Sequence, residues 1–122
     1  MSTTDSINTS VEHHGDIAVL TVSGVVDLAT APALEAVTDE LVAEQPKALV
    51  IDLREVTFLA SVGLKILAAA HRDLTPAACF AVIADDPATS RPIKLTRLDE
   101  VFSLYATLDD GLIAVRSELT TR

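Results

Sequence analysis

Tryptophan is absent from the chain, and only three phenylalanines and one tyrosine occur among its 122 residues. So few rings exclude a platform on which nucleic-acid bases stack, and they leave Leu, Val, Ile and Ala to build the core. Cys79 is the single cysteine, so no internal disulfide forms, which suits a reducing cytoplasm. It lies in the apolar run CFAVIA, where a buried thiol acts as a small hydrophobe. With four glycines in all, the chain has neither Walker nor dinucleotide-binding spacing. Bases are outnumbered as well: 9 Lys and Arg face 18 Asp and Glu, for a net charge of −9. A domain of that sign repels phosphate backbones and has no direct nucleic-acid partner. The acid excess either serves solubility alone or presents a face to a basic protein. No apolar run approaches the ~20 residues of a membrane span. Met1 to Ser10 is polar and lacks the apolar stretch of a secretory signal.

Grouped catalytic side chains are missing too. His13 and His14 are adjacent, so they point to opposite faces of an extended strand, and no Cys or acid stands at ligand spacing beside them. Ser61 lies in A-S-V-G rather than the G-x-S-x-G of a nucleophile elbow. His71 falls far down the same helix and cannot serve as its base. The expectation is a protein without metal or cofactor that is not an enzyme.

What is present is enough for one domain: 49% of the residues are apolar. Residues 1–6 read as a flexible tail. Asn8–His13 and Ile17–Ser23 read as strands joined at Gly15–Asp16, a pair that suits a hairpin turn. A helix follows, capped by Thr30 with Pro32 in its first turn and ended by Pro46. Its Leu34, Val37, Leu41 and Val42 form one apolar stripe. ALVIDL (Ala48–Leu53) and CFAVIA (Cys79–Ala84) are short and almost wholly apolar, as strands covered on both faces are. A turn at Arg54–Glu55 and a helix over Val62–Leu74 lie between them. Then come a short helix capped by Ser90 or Thr89, with Pro92 in its first turn, and a short strand over Phe102–Tyr105. A last helix is capped by Thr107, with Asp110 near its positive end. The order is β-β-α-β-α-β-α-β(short)-α, an α/β layer structure.

A response-regulator receiver domain has similar length and alternation, and Asp52 sits about where its acceptor aspartate would. It needs an acidic pair at the end of the first strand, however, and here that end reads His13–His14–Gly15. The opening hairpin also breaks its order.

FLASVGLKIL, Phe58 to Leu67, places one hydroxyl in an apolar run. Ser61 is well placed to cap the following helix. The same place gives it a second role. A phosphate on Ser61 adds about −1.5 to −2 charge beside the positive end of that helix, where backbone N–H groups face it. Gly63 leaves room for another backbone, and Val62 and Leu64 supply apolar surface. The site is then an apolar dock when bare and a charged obstacle when phosphorylated.

These residues carry a resemblance. The chain resembles the STAS-domain anti-sigma factor antagonists of bacteria, also called anti-anti-sigma factors. In that family an aspartate closes a buried strand, and a turn leads into Asp-Ser-Ser/Thr-Gly-Leu. Here the strand is ALVIDL with Asp52, the turn LREVTFL, and the switch segment Ala60-Ser61-Val62-Gly63-Leu64. A Gly-x-x-Asp landmark after the second strand appears as Gly24-Val25-Val26-Asp27, and IKLTRLDEVFSLYATLDDGL is similar to the family's late segment. The resemblance implies one STAS domain over residues 7–119, with 120–122 as a tail. Its fold would be a mixed β-sheet with helices packed mainly on one side.

It also implies a function. The unphosphorylated protein binds an anti-sigma factor that is also a serine kinase and so frees a sigma factor. The kinase, using ATP and Mg²⁺, phosphorylates the switch serine and is released, and a serine phosphatase resets the system. By position the phosphorylated residue is Ser61, and Asp27, Ala60, Val62, Gly63 and Leu64 meet the partner. Two positions depart from the motif: the family's acid before the serine is Ala60 here, and the hydroxyl residue after it is Val62. Arg97 also stands where many relatives have glycine. A second reading therefore stays open, a constitutive STAS domain that binds a protein or ligand without phosphorylation.

Overall fold

The computed structural model describes residues 7–121; the tail expected over 1–6 lies outside them. Gly15, at φ +65° with open space around it, turns β1 (Ile7–His14) back along β2 (Ile17–Val26). A side chain is strained at that φ. The chain continues through α1 (Ala31–Ala43), β3 (Ala48–Leu59), α2 (Ser61–Leu74), β4 (Cys79–Ile83) and α3 (Pro87–Leu95). A 3-10 turn over Leu98–Glu100, β5 (Ser103–Tyr105) and α4 (Leu108–Thr121) complete it. The strands lie in sequence order, β1-β2-β3-β4-β5. β1 is antiparallel to β2, and all later neighbours are parallel. This is the mixed sheet and the element order expected.

Strand alternation divides the core in two. Leu20, Val22, Leu49, Ile51, Leu53 and Val82 join Leu34 of α1, Leu67 of α2 and Ile93 of α3 on one face. Ile17, Val19, Val50, Ala81 and Ile83 meet Leu112 and Val115 of α4 on the other. Three helices thus cover one side and one covers the opposite side. β3, between β2 and β4, is buried on both faces from Ala48 to Leu53, which explains its unbroken apolar run.

Several local expectations are corrected. Arg54–Glu55 is no turn, because β3 runs on to Leu59. Thr21 pairs with Asp52 but Ser23 with Glu55, and Gly24 pairs with Val56 but Val25 with Phe58. At each step β3 spends one more residue than β2, which makes two β-bulges. The charged pair therefore marks a bulge inside a long strand. Gly24-Val25-Val26 belongs to β2, and the loop begins at Asp27. α3 starts at Pro87, capped by Asp86, whose side chain accepts from the Ala88 amide at 2.8 Å; Pro92 lies inside the helix. α4 reaches Thr121, past the boundary expected at 119. Thr107 caps it as expected, accepting from the Asp110 amide at 3.1 Å. Arg97 adopts φ +62°, a left-handed conformation that glycine fills most readily.

Candidate functional site

β2 and β3 end side by side. The Ala60 amide donates to the Val26 carbonyl at 2.9 Å, so the loop that enters α1 is tied to the one that enters α2. The fold thereby brings Asp27 to the same edge of the sheet as Ala60 and Ser61.

Asp27 is held firmly. Its Oδ1 accepts from the amides of Ala29 and Thr30, each at 3.0 Å. The Thr30 hydroxyl accepts from the Asp27 amide at 2.9 Å and donates to the Val25 carbonyl at 2.8 Å. These bonds give the capping role to Asp27 and not to Thr30, whose backbone is already helical and whose side chain makes no capping bond. Within the described residues no hydrogen bond engages Oδ2 of Asp27, and the residue is half-buried.

The start of α2 is different. Ala60 is extended (φ −81°, ψ 167°) and occupies the cap position, where alanine has no oxygen to offer. Ser61 is the first helical residue, one place beyond the cap expected of it, and it is exposed, its hydroxyl bonded to none of the described residues. The Gly63 amide reaches the Ala60 carbonyl at 2.9 Å, but the first amides of the turn have no side-chain acceptor. The helix forms regardless, because a cap is worth about 1 kcal/mol and a buried Leu or Ile roughly 1.5–3 kcal/mol. α2 buries Leu64, Ile66, Leu67 and Leu74.

The other candidates divide by direction. Gly63 faces inward: a Cβ there would lie 2.6 Å from Leu59 Cδ1 and 2.7 Å from Val26 Cγ1. Its close approach is to the molecule's own strand ends, where the sequence reading had it admit another backbone. Leu64 is also buried, and Val62 is half-buried against the core. Two apolar side chains not singled out from sequence stand exposed nearby, Leu28 at 81% and Phe58 at 53%. Leu28 follows Asp27 in the loop. Phe58 is turned out because the second bulge shifts the alternation, a change that no sequence period announces.

Asp52 is buried and engaged. Arg54 holds it with Nη2 to Oδ2 at 2.8 Å and Nε to Oδ1 at 3.0 Å, and the Arg54 amide adds a bond at 3.0 Å. The hydrogen bond to Asp52 raises the Arg54 pKa against the opposing effect of burial. A carboxylate clamped in this way is a structural group rather than a phosphoryl acceptor. His13 and His14 approach Glu44 and Glu12 at 3.5 and 3.4 Å on the surface. Among the described residues no cluster of three or more His, Cys, Asp or Glu could hold a metal ion. No helix among them is long and apolar enough to cross a membrane.

The STAS domain family model matches residues 8–111. The anti-sigma-F factor antagonist RsfB of Mycobacterium tuberculosis is 50% identical over 116 residues, which span 95% of each chain. A crystal structure of an anti-sigma factor antagonist from Mycobacterium paratuberculosis matches with a TM-score of 0.90 and 56% identity. That match covers 95% of this chain and 99% of the other. The Bacillus cell fate determinant SpoIIAA in its phosphorylated form shares the fold at 14% identity, with a TM-score of 0.68 over 88% of this chain and 99% of its own.

Proposed function

Because the chain belongs to the STAS-domain anti-sigma factor antagonists, we propose that it binds an anti-sigma factor with serine-kinase activity, frees a sigma factor, and is switched off by phosphorylation of Ser61. The family is regulatory, and its members act by binding rather than by catalysis. The observation that carries the proposal is the exposed, unbonded Ser61 hydroxyl at a helix start with no side-chain cap. A kinase can reach such a hydroxyl without breaking any bond inside the protein.

In the bare form the edge offers apolar surface from Leu28, Phe58 and Val62, with Ala60 adding no charge and Asp27 Oδ2 at its side. Gly63 and Leu64 contribute from beneath, by setting the height of α2 against Val26 and Leu59. Phosphate on Ser61 changes this surface in two ways. It adds about −1.5 to −2 charge to an apolar patch. It also supplies the acceptor that Ala60 lacks, and so is held by the unfilled amides and the positive helix end. Desolvating that charge against a partner costs far more than the patch gains. A phosphatase then restores the dock. This cycle operates in the cytoplasm, with ATP and Mg²⁺ used by the kinase and none bound by this chain.

Incubation with the purified anti-sigma kinase, ATP and Mg²⁺ is expected to add one phosphate to the wild-type chain and none to Ser61→Ala. Ser61→Glu is expected to bind the anti-sigma factor more weakly than wild type. Labelling that persists in Ser61→Ala rejects Ser61 as the acceptor, and equal affinity of Ser61→Glu and wild type rejects the switch. Ala60 favours a second reading, because a relative's carboxylate beside the acceptor hydroxyl is missing here. In that reading the chain binds constitutively, and intact-mass measurement on protein taken from cells shows no phosphate in any growth condition.

A further inference from the structure

α1 and α2 lie side by side on one face of the sheet, and a groove of about 610 Å³ runs between them. It opens at the edge just described, between Leu28 and Val62, and continues along α2 as far as Arg72. Ten residues of helix span about 15 Å, enough to seat some three turns of a second helix. The inner surface is small and apolar, with Ala31, Ile66 and Ala69 among its lining residues. The lips are charged and of opposite sign: Glu35 stands on α1, and Lys65 and Arg72 stand on α2.

Lys65 and Arg72 are seven residues apart and so lie on one side of α2. Arg72 is exposed and, among the described residues, pairs only with its neighbour Asp73, at 3.3 Å. Lys65 is exposed and forms no ion pair with any described residue. In a chain of net charge −9, a line of cations beside an apolar floor selects an occupant with acids in the matching place.

We propose that this groove docks an amphipathic helix of the anti-sigma partner, with its apolar stripe on the floor and its carboxylates toward Lys65 and Arg72, and that phosphate on Ser61 withdraws Lys65 from that helix. The proposal rests on Ser61 being the switch. Ser61 and Lys65 are an i, i+4 pair, with Cβ atoms roughly 5–6 Å apart. An anion N-terminal to a lysine at this spacing is the favourable orientation, and a phosphate carries more charge than a carboxylate. The ammonium then turns to the phosphate, and the partner helix loses its first cation. The switch thus reaches past the Ser61 patch into the groove.

The test titrates the chain with the Mycobacterium tuberculosis anti-sigma-F factor by calorimetry. Lys65→Glu and Ala69→Arg, which reverse a lip charge and fill the floor, are both expected to weaken binding about tenfold or more, with the Lys65→Glu loss shrinking as salt rises. If both variants bind within about twofold of wild type while Ser61→Glu does not bind, the groove is rejected and the switch stands. A wild-type chain that fails to bind overturns the pairing with this anti-sigma factor and the groove with it. Self-association of the wild type that Ala69→Arg abolishes, read by sedimentation, assigns the groove to a second copy and overturns the proposal. A partner-free measurement isolates Lys65. Phosphate is installed on Ser61, and its second ionisation is followed by ³¹P resonance with and without Lys65→Gln. A pair predicts an acid dissociation constant at least about twofold larger with lysine present, and equal constants reject the pairing.

Discussion

Two helices begin side by side at the same edge of the sheet, and the chain treats them in opposite ways. At the start of α1, Asp27 and Thr30 satisfy one another and the loop backbone with bonds of 2.8–3.0 Å. At the start of α2, Ala60 offers no side-chain oxygen and the Ser61 hydroxyl bonds none of the described residues. The bond from the Ala60 amide to the Val26 carbonyl helps to join them. One junction is fixed and serves as a reference surface. The other is left incomplete, and it is the one that the proposed phosphate on Ser61 would complete. A switch needs both: a rigid neighbour against which binding is registered, and a place where a modification meets no existing bond.

The largest effect is expected where the two junctions are packed together. Gly63→Val pushes a branched side chain into Val26 and Leu59, which leave no room for even a Cβ. Overpacking of this kind costs about 1–3 kcal/mol, and chemical denaturation is expected to show it. Loss of anti-sigma binding should accompany it, because α2 is lifted from the sheet. Unchanged stability would mean that the two helix starts are not held at a fixed height.

Asp27→Ala comes next, since it removes the cap that distinguishes α1, and a loss of about 1–2 kcal/mol is expected in the same measurement. Asp27→Asn separates cap from charge. It keeps an oxygen for the Ala29 and Thr30 amides, so stability should fall by less than half as much. Anti-sigma binding, which we assign in part to the carboxylate, should fall as far as in Asp27→Ala. If the two variants weaken binding in proportion to their instability, Asp27 only shapes the loop.

Much of this edge was legible before the fold was known. The apolar runs of β3 and β4 and the stripe of α1 predicted burial correctly, because each obeys one simple period over its whole length. Ser61 stands out as a hydroxyl in an apolar run, and the family resemblance points to Asp27; the fold brings the two to one edge. What the sequence hid is non-local. Arg54–Glu55 looks like a turn because charged residues seldom interrupt a buried strand, yet β3 absorbs them in bulges and with the Asp52–Arg54 clamp. Thr30 is as good a cap by type as Asp27, and only the path of the loop decides between them. Ser61 reads as a cap by type but stands one residue late, and single-residue offsets at helix ends lie below what propensity resolves. Gly63 reads as an opening to a partner, whereas the atoms that require glycine come from β2 and β3.

The smallest expected effect is the sharpest probe of the contrast. Ala60→Asp makes the start of α2 resemble that of α1, and it restores the acid that the family carries before its serine. Ala60 is extended, as a capping residue should be, so a carboxylate there can accept from the open amides near the positive end of the helix. A gain of about 0.5–1 kcal/mol is expected in denaturation. The kinase reaction then separates two roles for that acid. If relatives use it to engage the kinase, Ala60→Asp speeds phosphorylation of Ser61. If the amides left open by alanine are what hold the phosphate, the new carboxylate competes for them, and phosphorylated Ala60→Asp keeps more of its anti-sigma affinity than phosphorylated wild type. A variant that changes stability but neither rate nor affinity would show that the incomplete helix start is a local economy of packing, with no part in the switch.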